Sequence, residues 1–303
     1  MESPPLFSDD IPAGHRSGYV ALIGQPNVGK STLINALVGQ KLSIVTPKPQ
    51  TTRHRILGIL SAPAYQIVLL DTPGIIEPRY RLQEAMMRNV RQAISDADIL
   101  LFMADATRDT PDSLSLSFVG ERPSFLLLNK VDLIRQEDAL PLAQAYLNAY
   151  PFKEVFPISA LKGFNLASML DKLVSYLPEG PPFYPKDQLS EHPERFFIAE
   201  IIREKIFMKY SQEVPYSTQV NVVNYEEREG QKDLLHAEIV VERDSQKAIL
   251  IGKGGSALKR IGIAARKDIE AFTGRPVYMQ LHVKVRDRWR SNDTFLRSFG
   301  FDA

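Results

Sequence analysis

Gly24-Gln-Pro-Asn-Val-Gly-Lys-Ser31 decides the reading of this chain. It follows an apolar stretch, residues 19–24, with the composition of a buried strand, and runs into residues 31–38, whose apolar spacing predicts a helix. A G-x-x-x-x-G-K-S segment between strand and helix curls its backbone so that successive N–H groups point inward at phosphate oxygens. The helix N-terminus adds a favourable dipole. Gly24, Asn27, Val28, Gly29, Lys30, Ser31 and Thr32 are therefore the candidate phosphate-binding residues. Lys30 is expected to neutralise the β and γ phosphates, and the Ser31 hydroxyl to bind Mg2+. The bland alternative is a glycine turn followed by a chance Lys-Ser, and the flanking strand and helix argue against it.

Working outward, Asp71-Thr-Pro-Gly74 ends another predicted strand, residues 66–71. It would bring a carboxylate near the metal and the Gly74 N–H to the γ-phosphate. Alone such a segment is a turn; beside a phosphate loop the turn reading becomes the minor one. Asn129-Lys-Val-Asp132 also ends a strand, residues 124–129. Asp132 can accept from guanine's N1–H and exocyclic amine, where adenine offers no donor. A carboxylate left without its partner discriminates by several kcal/mol, on the order of a lost charged hydrogen bond. Asn129 is expected to meet the purine's other edge and brace the phosphate loop, with Lys130 between the two. Ser159-Ala-Leu-Lys162 follows the next strand, and there the Ala160 N–H could reach guanine O6, flanked by Ser159 and Leu161. The nucleotide implied is GTP.

The second half of the argument is charge. The 303 residues carry a net charge of +1, with 44% hydrophobic and 24% charged residues, a balance ordinary for globular proteins. Between residues 243 and 297, however, thirteen Lys or Arg face five Asp or Glu. A basic C-terminal third is the footprint expected of contact with phosphate backbone; the alternative is a solvated charged face. There is no cysteine, hence neither disulfide nor thiolate chemistry. No apolar run reaches the roughly 18 residues of a membrane span. Residues 1–17 read as a disordered tail and not as a signal peptide.

Strands and helices alternate up to residue 178, which predicts a mostly parallel, six-stranded sheet covered on both faces, an α/β domain over residues 18–178. The proline-rich residues 179–188 read as a linker. Residues 189–303 read as an α+β unit ending in a basic helix. Its centre is Ile251-Gly-Lys-Gly-Gly255, between one apolar helical turn and a helix over residues 256–272. A G-x-x-G loop between two helices lets nucleic-acid backbone approach unobstructed. Ile251, Gly252, Lys253, Gly254, Gly255, Lys259, Arg260, Arg266 and Lys267 are the candidate RNA-binding residues, with Ile239, Ile249 and Ile251 as an expected apolar floor for bases. A glycine-rich helix junction is the competing reading of the loop alone. Arg286, Arg288, Trp289, Arg290 and Arg297 fit either extra backbone contacts or a charged terminal helix anchored by its Trp.

The four nucleotide motifs, in this order, resemble the P-loop GTPases of the translation-factor-related branch, and the order helix–strand–strand–helix–G-x-x-G–helix–strand resembles a type II KH domain. Ras-like members of the superfamily follow Asp-x-x-Gly with a glutamine that orients water; here the position is Ile75. In related GTPases without that glutamine, an asparagine at the place of Asn27 helps hold a potassium ion, so Asn27 is a candidate K+ ligand as well as a turn stabiliser. In the polar loop around residues 46–53, Thr52 is the candidate to complete the Mg2+ shell and Thr51 its rival. Together with Gln50-Thr-Thr-Arg-His-Arg55, these features resemble the Era family of bacterial GTPases from about Gly18 to Arg297.

The resemblance implies Lys30, Thr52, Gly74 and Asn27 as catalytic residues and Ser31, Thr52 and Asp71 as Mg2+ ligands. It further implies slow GTP hydrolysis and binding of the 16S rRNA 3′ end during 30S assembly. A cytoplasmic monomer, with loose peripheral association to the inner membrane, completes the implied picture. The alternatives are a GTPase of this type acting on another RNA, an RNA-binding scaffold with a vestigial nucleotide site, and an ATP-using enzyme, which Asn-Lys-x-Asp opposes.

Overall fold

The structure, a computed structural model, describes residues 11–108 and 110–301. The first ten residues of the expected tail lie outside the described residues, and Arg16 and Ser17 already belong to a strand. Two compact units are present: residues 11–43, 52–77 and 87–191 form the first, and residues 44–51, 78–86 and 192–301 the second.

The first unit carries strands β1 (Arg16–Ile23), β2 (Ile56–Ala62), β3 (Tyr65–Asp71), β4 (Ile99–Asp105), β5 (Ser124–Asn129) and β6 (Glu154–Ile158). They form one sheet in the order β2-β3-β1-β4-β5-β6, parallel except for the antiparallel pair β2–β3. Every residue of β4 and β5 is buried, as sheet strands covered on both faces require. Helices α1 (Lys30–Val38), α2 (Arg81–Asp96), α3 (Ser113–Leu116), α4 (Gln136–Ala149) and α5 (Leu166–Tyr176) make the connections. The core joins Leu22, Leu69, Leu101 and Leu127 from the sheet to Leu33 of α1 and Met169 of α5. The stretch expected as a linker is packed in this unit. Gln66 Oε1 accepts from the Phe183 and Tyr184 N–H groups at 2.6 and 2.9 Å, and the Leu189 carbonyl accepts from Ile59 N at 2.9 Å. That last bond covers the edge strand β2, whose free N–H groups would otherwise be open to pairing.

The second unit has α6 (Glu194–Lys209), α7 (Glu213–Tyr216), β7 (Gln219–Glu226), β8 (Asp233–Val241), α8 (Asp244–Ile251), α9 (Ser256–Thr273), β9 (Val277–Val285) and α10 (Asp293–Ser298). Helix α6 starts at Glu194, where Pro193 lacks a donor and holds an extended φ/ψ of −67°/154° at the N-cap. The three-stranded sheet has the order β7-β8-β9, antiparallel then parallel. Ile202 and Ile206 of α6 and Ile261 and Ile269 of α9 share a core with Leu235 and Ile239 of β8. In place of a basic terminal helix, the tail folds as a short turn plus α10. Trp289 is fully buried there and donates Nε1–H to the Ser217 carbonyl at 2.8 Å, so this ring is an anchor.

Candidate nucleotide and RNA sites

Strands β1, β3, β5 and β6 all run parallel, so their carboxyl ends lie on one side of the sheet, where open α/β sheets bind ligands. The four predicted motifs are the loops leaving those ends. Between β1 and α1, Gly29 has φ +108°, and a Cβ there would lie 2.2 Å from Asn129 Nδ2. Only glycine lets the loop sit this close. The same Nδ2 donates to the Val28 carbonyl at 2.7 Å, while Asn129 Oδ1 accepts from Ala160 N at 2.9 Å. One buried amide therefore ties the phosphate loop to the loop after β6. Ile75 N donates to the Gly24 carbonyl at 3.0 Å, which draws the Asp71–Gly74 segment against the phosphate loop.

Lys30 is buried and its ammonium donates to the Gly24 and Gln25 carbonyls at 3.0 and 2.9 Å. Burial pushes it down to about 8, with Asp71 opposing. An ammonium desolvated at the mouth of a curled loop is poised for an anion. Ser31 Oγ donates to Asp71 Oδ2 at 2.8 Å and lies 2.9 Å from Thr52 Oγ1. Burial also raises the Asp71 carboxyl, against the pull of Lys30. Its Oδ1 is buried with no hydrogen-bond partner among the described residues. Two hydroxyls and one carboxylate, whose Oδ1 is unpartnered, are hard oxygen donors of the kind Mg2+ takes, alongside phosphate oxygens. Thr51, the rival, spends its hydroxyl inside its own loop, on the Lys48 carbonyl at 2.7 Å.

Asp132 is exposed in a short 3-10 turn after β5 and faces solvent where a base could reach it. Lys130 Nζ bonds Asp105 Oδ2 at 2.6 Å. Burial raises the Asp105 carboxyl, but Lys130 and Thr107 outweigh it and hold the group below the usual range. Motif reading did not single out Asp105, which holds Lys130; an acid at the end of β4, in register with Asn129, is the signal that could have found it. Ser159 and Ala160 are buried, and Leu161 is exposed beside them. Asn27 is exposed at φ +65°, the left-handed conformation that asparagine tolerates. Ile75 is 2% exposed, buried where Ras-like enzymes place glutamine.

In the second unit, Gly252 to Gly255 make the turn between α8 and α9. A Cβ on Gly252, at φ +70°, would lie 2.6 Å from Ala257 Cβ, whereas one on Gly254 would project into open space. Helix α9 has no acid in its first turn, so its positive end faces this loop uncompensated. A groove of about 390 Å³ opens along α9 and β9. Gly255, Lys259, Gly262 and Arg266 line it on the helix side, and Leu258, Ile263, Met279, Leu281 and Tyr278 give its apolar wall. Lys259, Ile263 and Arg266 recur at helical spacing, which puts them on one stripe. Arg260 and Lys267 fall one position further round and do not line the groove. The expected floor is corrected as well: Ile239 is fully buried on the helix-covered face of β8, and Ile251 packs against the same core. Only Ile249 remains half exposed, on α8. The wall comes instead from Leu258 and Ile263 of α9 and from Tyr278, Met279 and Leu281 of β9, a strand whose placement beside α9 no local pattern announces.

The fold and sites define a P-loop GTPase domain joined to a KH domain. Family models agree: that of the 50S ribosome-binding GTPases matches residues 19–130, and that of the KH domain residues 202–290. The chain is 45% identical over 293 residues to GTPase Era of Lacticaseibacillus paracasei, covering 95% of this chain and 98% of that one. It is 50% identical over 296 residues to the chloroplastic GTPase ERA1 of Zea mays, covering 95% of this chain and 71% of the relative. Two crystal structures match with 41% identity, covering 94% of this chain and 99% of theirs. One, of Aquifex aeolicus Era bound to GDP·AlF4−, gives a TM-score of 0.90. The other, Era in complex with MgGDPNP and nucleotides 1506–1542 of 16S ribosomal RNA, gives 0.91. The chain belongs to the GTPase Era family, and it is a GTP-binding, GTP-hydrolysing enzyme.

Proposed function

We propose that this chain is a guanine-nucleotide switch that binds the 3′ end of 16S rRNA through its KH groove and assists small-subunit assembly, with nucleotide state and RNA affinity linked. The observation that carries it is a groove with a cationic stripe and an aromatic and apolar wall, lined by Lys259, Arg266, Tyr278 and Met279, in a chain of the GTPase Era family. Phosphates would lie along the glycine turn and the stripe, and bases against the wall. The GTPase role is assigned to residues 18–178 and the RNA-binding role to 189–303.

Within the guanine site, Gly24, Asn27, Val28, Gly29, Lys30, Ser31 and Thr32 cradle the phosphates, and the Gly74 N–H reaches the γ-phosphate. Asn129, Lys130, Asp132, Ser159, Ala160 and Leu161 hold the base. Ser31, Thr52 and Asp71 hold Mg2+; the 2.9 Å approach of Thr52 to Ser31 favours it over Thr51. When bound, Mg2+ supplies charge neutralisation of the triphosphate. Asn27 contributes to a K+ site that substitutes for the missing glutamine, and equal hydrolysis rates in potassium and sodium buffers would remove that assignment.

The test is binding of labelled RNA spanning nucleotides 1506–1542 of 16S rRNA, against an unrelated RNA of equal length at fixed salt. Tighter binding of the rRNA segment, strengthened by a non-hydrolysable GTP analogue over GDP, is expected. Equal affinity for both RNAs would assign the groove to another target. Among the described residues no helix is long and apolar enough to cross a membrane. The compartment proposed is one with bacterial-type ribosomes, cytoplasm or plastid stroma, and cell fractionation would reveal any peripheral membrane pool.

A further inference from the structure

Two buried side-chain oxygens of the first unit have no hydrogen-bond partner among the described residues: Asp71 Oδ1, at the end of β3, and the Ser43 hydroxyl, in the loop after α1. Both residues are fully buried, at 0% exposure. The Ser43 hydroxyl stands close enough to the carboxylate to act on it. Burial raises the Asp71 carboxyl, and Lys30 and then Ser43 pull it back down. A buried donor and a buried acceptor left unmade each cost free energy. Alanine at position 43 would remove one of those costs, so packing alone does not call for a hydroxyl there.

Helix α1 fixes where that hydroxyl sits. Asn35 Oδ1 accepts from the Leu42 and Ser43 N–H groups, both at 2.9 Å, and Asn35 Nδ2 donates to the Ser43 carbonyl at 2.7 Å. One amide thus spends both its ends on residues 42 and 43. Gly39, at φ +74°, ends the helix and donates its N–H to the Asn35 carbonyl at 3.0 Å, the left-handed cap that turns the chain back. Asn35 follows Ser31 by four residues and shares its side of α1. Ser31 Oγ donates to Asp71 Oδ2 at 2.8 Å. The same helix therefore gives one hydroxyl to Oδ2 and, through Asn35, brings a second hydroxyl beside the same carboxylate.

Hydrogen bonds that orient a metal-binding carboxylate from behind are worth about 10–100-fold in metal affinity. We propose that Ser43, placed by Asn35, is a positioning residue for Asp71: its hydroxyl donates to Oδ1 and so keeps Oδ2, the oxygen that Ser31 bonds, directed at the Mg2+ position. Ser43 itself touches neither metal nor nucleotide, so its effect falls on Mg2+ affinity and not on nucleotide affinity without metal. The effect does not involve the γ-phosphate and is the same for GDP and GTP. The inference rests on the reading of Asp71 as a metal ligand.

The experiment, on the full chain, titrates Mg2+ into protein with labelled GDP and separately measures GDP binding and thermal melting in EDTA. Ser43→Ala should need about tenfold more Mg2+ for the half-maximal gain in GDP retention. Its GDP affinity in EDTA should stay within twofold of the parent's, and its melting temperature in EDTA should be no lower. Ser43→Cys, close in size and only a weak donor, should show the same pattern, and it carries the readout if the Ala variant fails to fold. Ser43→Ala should add little to Asp71→Asn, as expected of two groups acting as a unit. An unchanged Mg2+ requirement in the Ser43 variants, or an equal loss of GDP affinity with and without Mg2+, would overturn the positioning role. If Asp71→Asn itself leaves the Mg2+ requirement unchanged, the metal-ligand reading fails, and the proposal falls with it.

Discussion

Asn129→Ala tests how the guanine site is assembled. The Asn129 amide is 3% exposed and makes two bonds across the site, to the Val28 carbonyl and from the Ala160 N–H. Both partners are buried, Val28 at 1% and Ala160 at 3% exposure. Truncation leaves one buried carbonyl and one buried N–H unsatisfied, each costing about 1–3 kcal/mol. Water entering the vacated space recovers part of that, so a total near 3 kcal/mol is reasonable by the same scale. If the braced loops hold phosphate and base as proposed, about 2 kcal/mol of it should appear in binding, roughly 30-fold weaker affinity. The loss should be shared equally by GDP and GTP, because neither bond touches the γ-phosphate. Titration of fluorescent GDP and GTP analogues with Mg2+, beside thermal melts, measures both portions. Affinity within threefold of the parent for both nucleotides would refute the bracing argument, and a loss confined to GTP would place Asn129 in a different role.

Asp132→Asn should invert the hydrogen-bond polarity facing the base, so that competition binding shows xanthine nucleotide preferred over guanine. Lys30→Ala removes the buried ammonium and should abolish retention of GTP in filter binding. Gly254→Asp places a carboxylate in open space at the glycine turn; electrophoretic shifts with rRNA should show at least about tenfold weaker binding, as like-charge repulsion at a phosphate contact implies, with basal GTP hydrolysis unchanged. Arg275→Met addresses stability. Arg275 Nε donates to the buried Asp233 at 2.7 Å and Nη2 bonds Glu194 at 2.9 Å. Burial alone would raise the Asp233 carboxyl, but Arg275, Arg228 N–H and Tyr225 hold it below the usual range. A carboxyl depressed in the folded state contributes stability above its unfolded value, near 4, and loses it as pH falls through the folded one. Arg275 is partly exposed, so the substitution should cost about 2 kcal/mol at pH 7, less than a fully buried pair. Denaturant titrations should show the deficit shrinking toward pH 3, and a deficit independent of pH would contradict this account.

The candidate nucleotide site was legible in sequence to the extent that each of its motifs is continuous and sits at a strand end, and parallel strands bring those ends to one side of the sheet. Asp105 escaped because a single acid has no spacing to announce it, and its role follows from the lateral pairing of β4 with β5. The RNA groove was half legible. The glycine turn and helical periodicity point to Lys259 and Arg266, but Arg260 and Lys267 were indistinguishable from them without knowing which face of α9 meets β9. Ile239 was misplaced for the same reason, since alternation on β8 shows two faces and not which one the helices cover. Least legible was the loop of residues 44–51, whose polar sequence carries no sign of its bonds to Glu204 and Arg203, about 150 residues away. Contacts at that separation leave no local trace.

The account turns on one pocket that gathers a triphosphate and selects guanine by the Asp132 carboxylate. Equilibrium binding of labelled GTP with Mg2+, challenged by unlabelled ATP, tests this most directly. GTP should be retained against an excess of ATP on the order of a thousandfold, the discrimination that an unpaired polar partner supports. Displacement by ATP at comparable concentration, or no retention of GTP with magnesium present, would contradict the assignment.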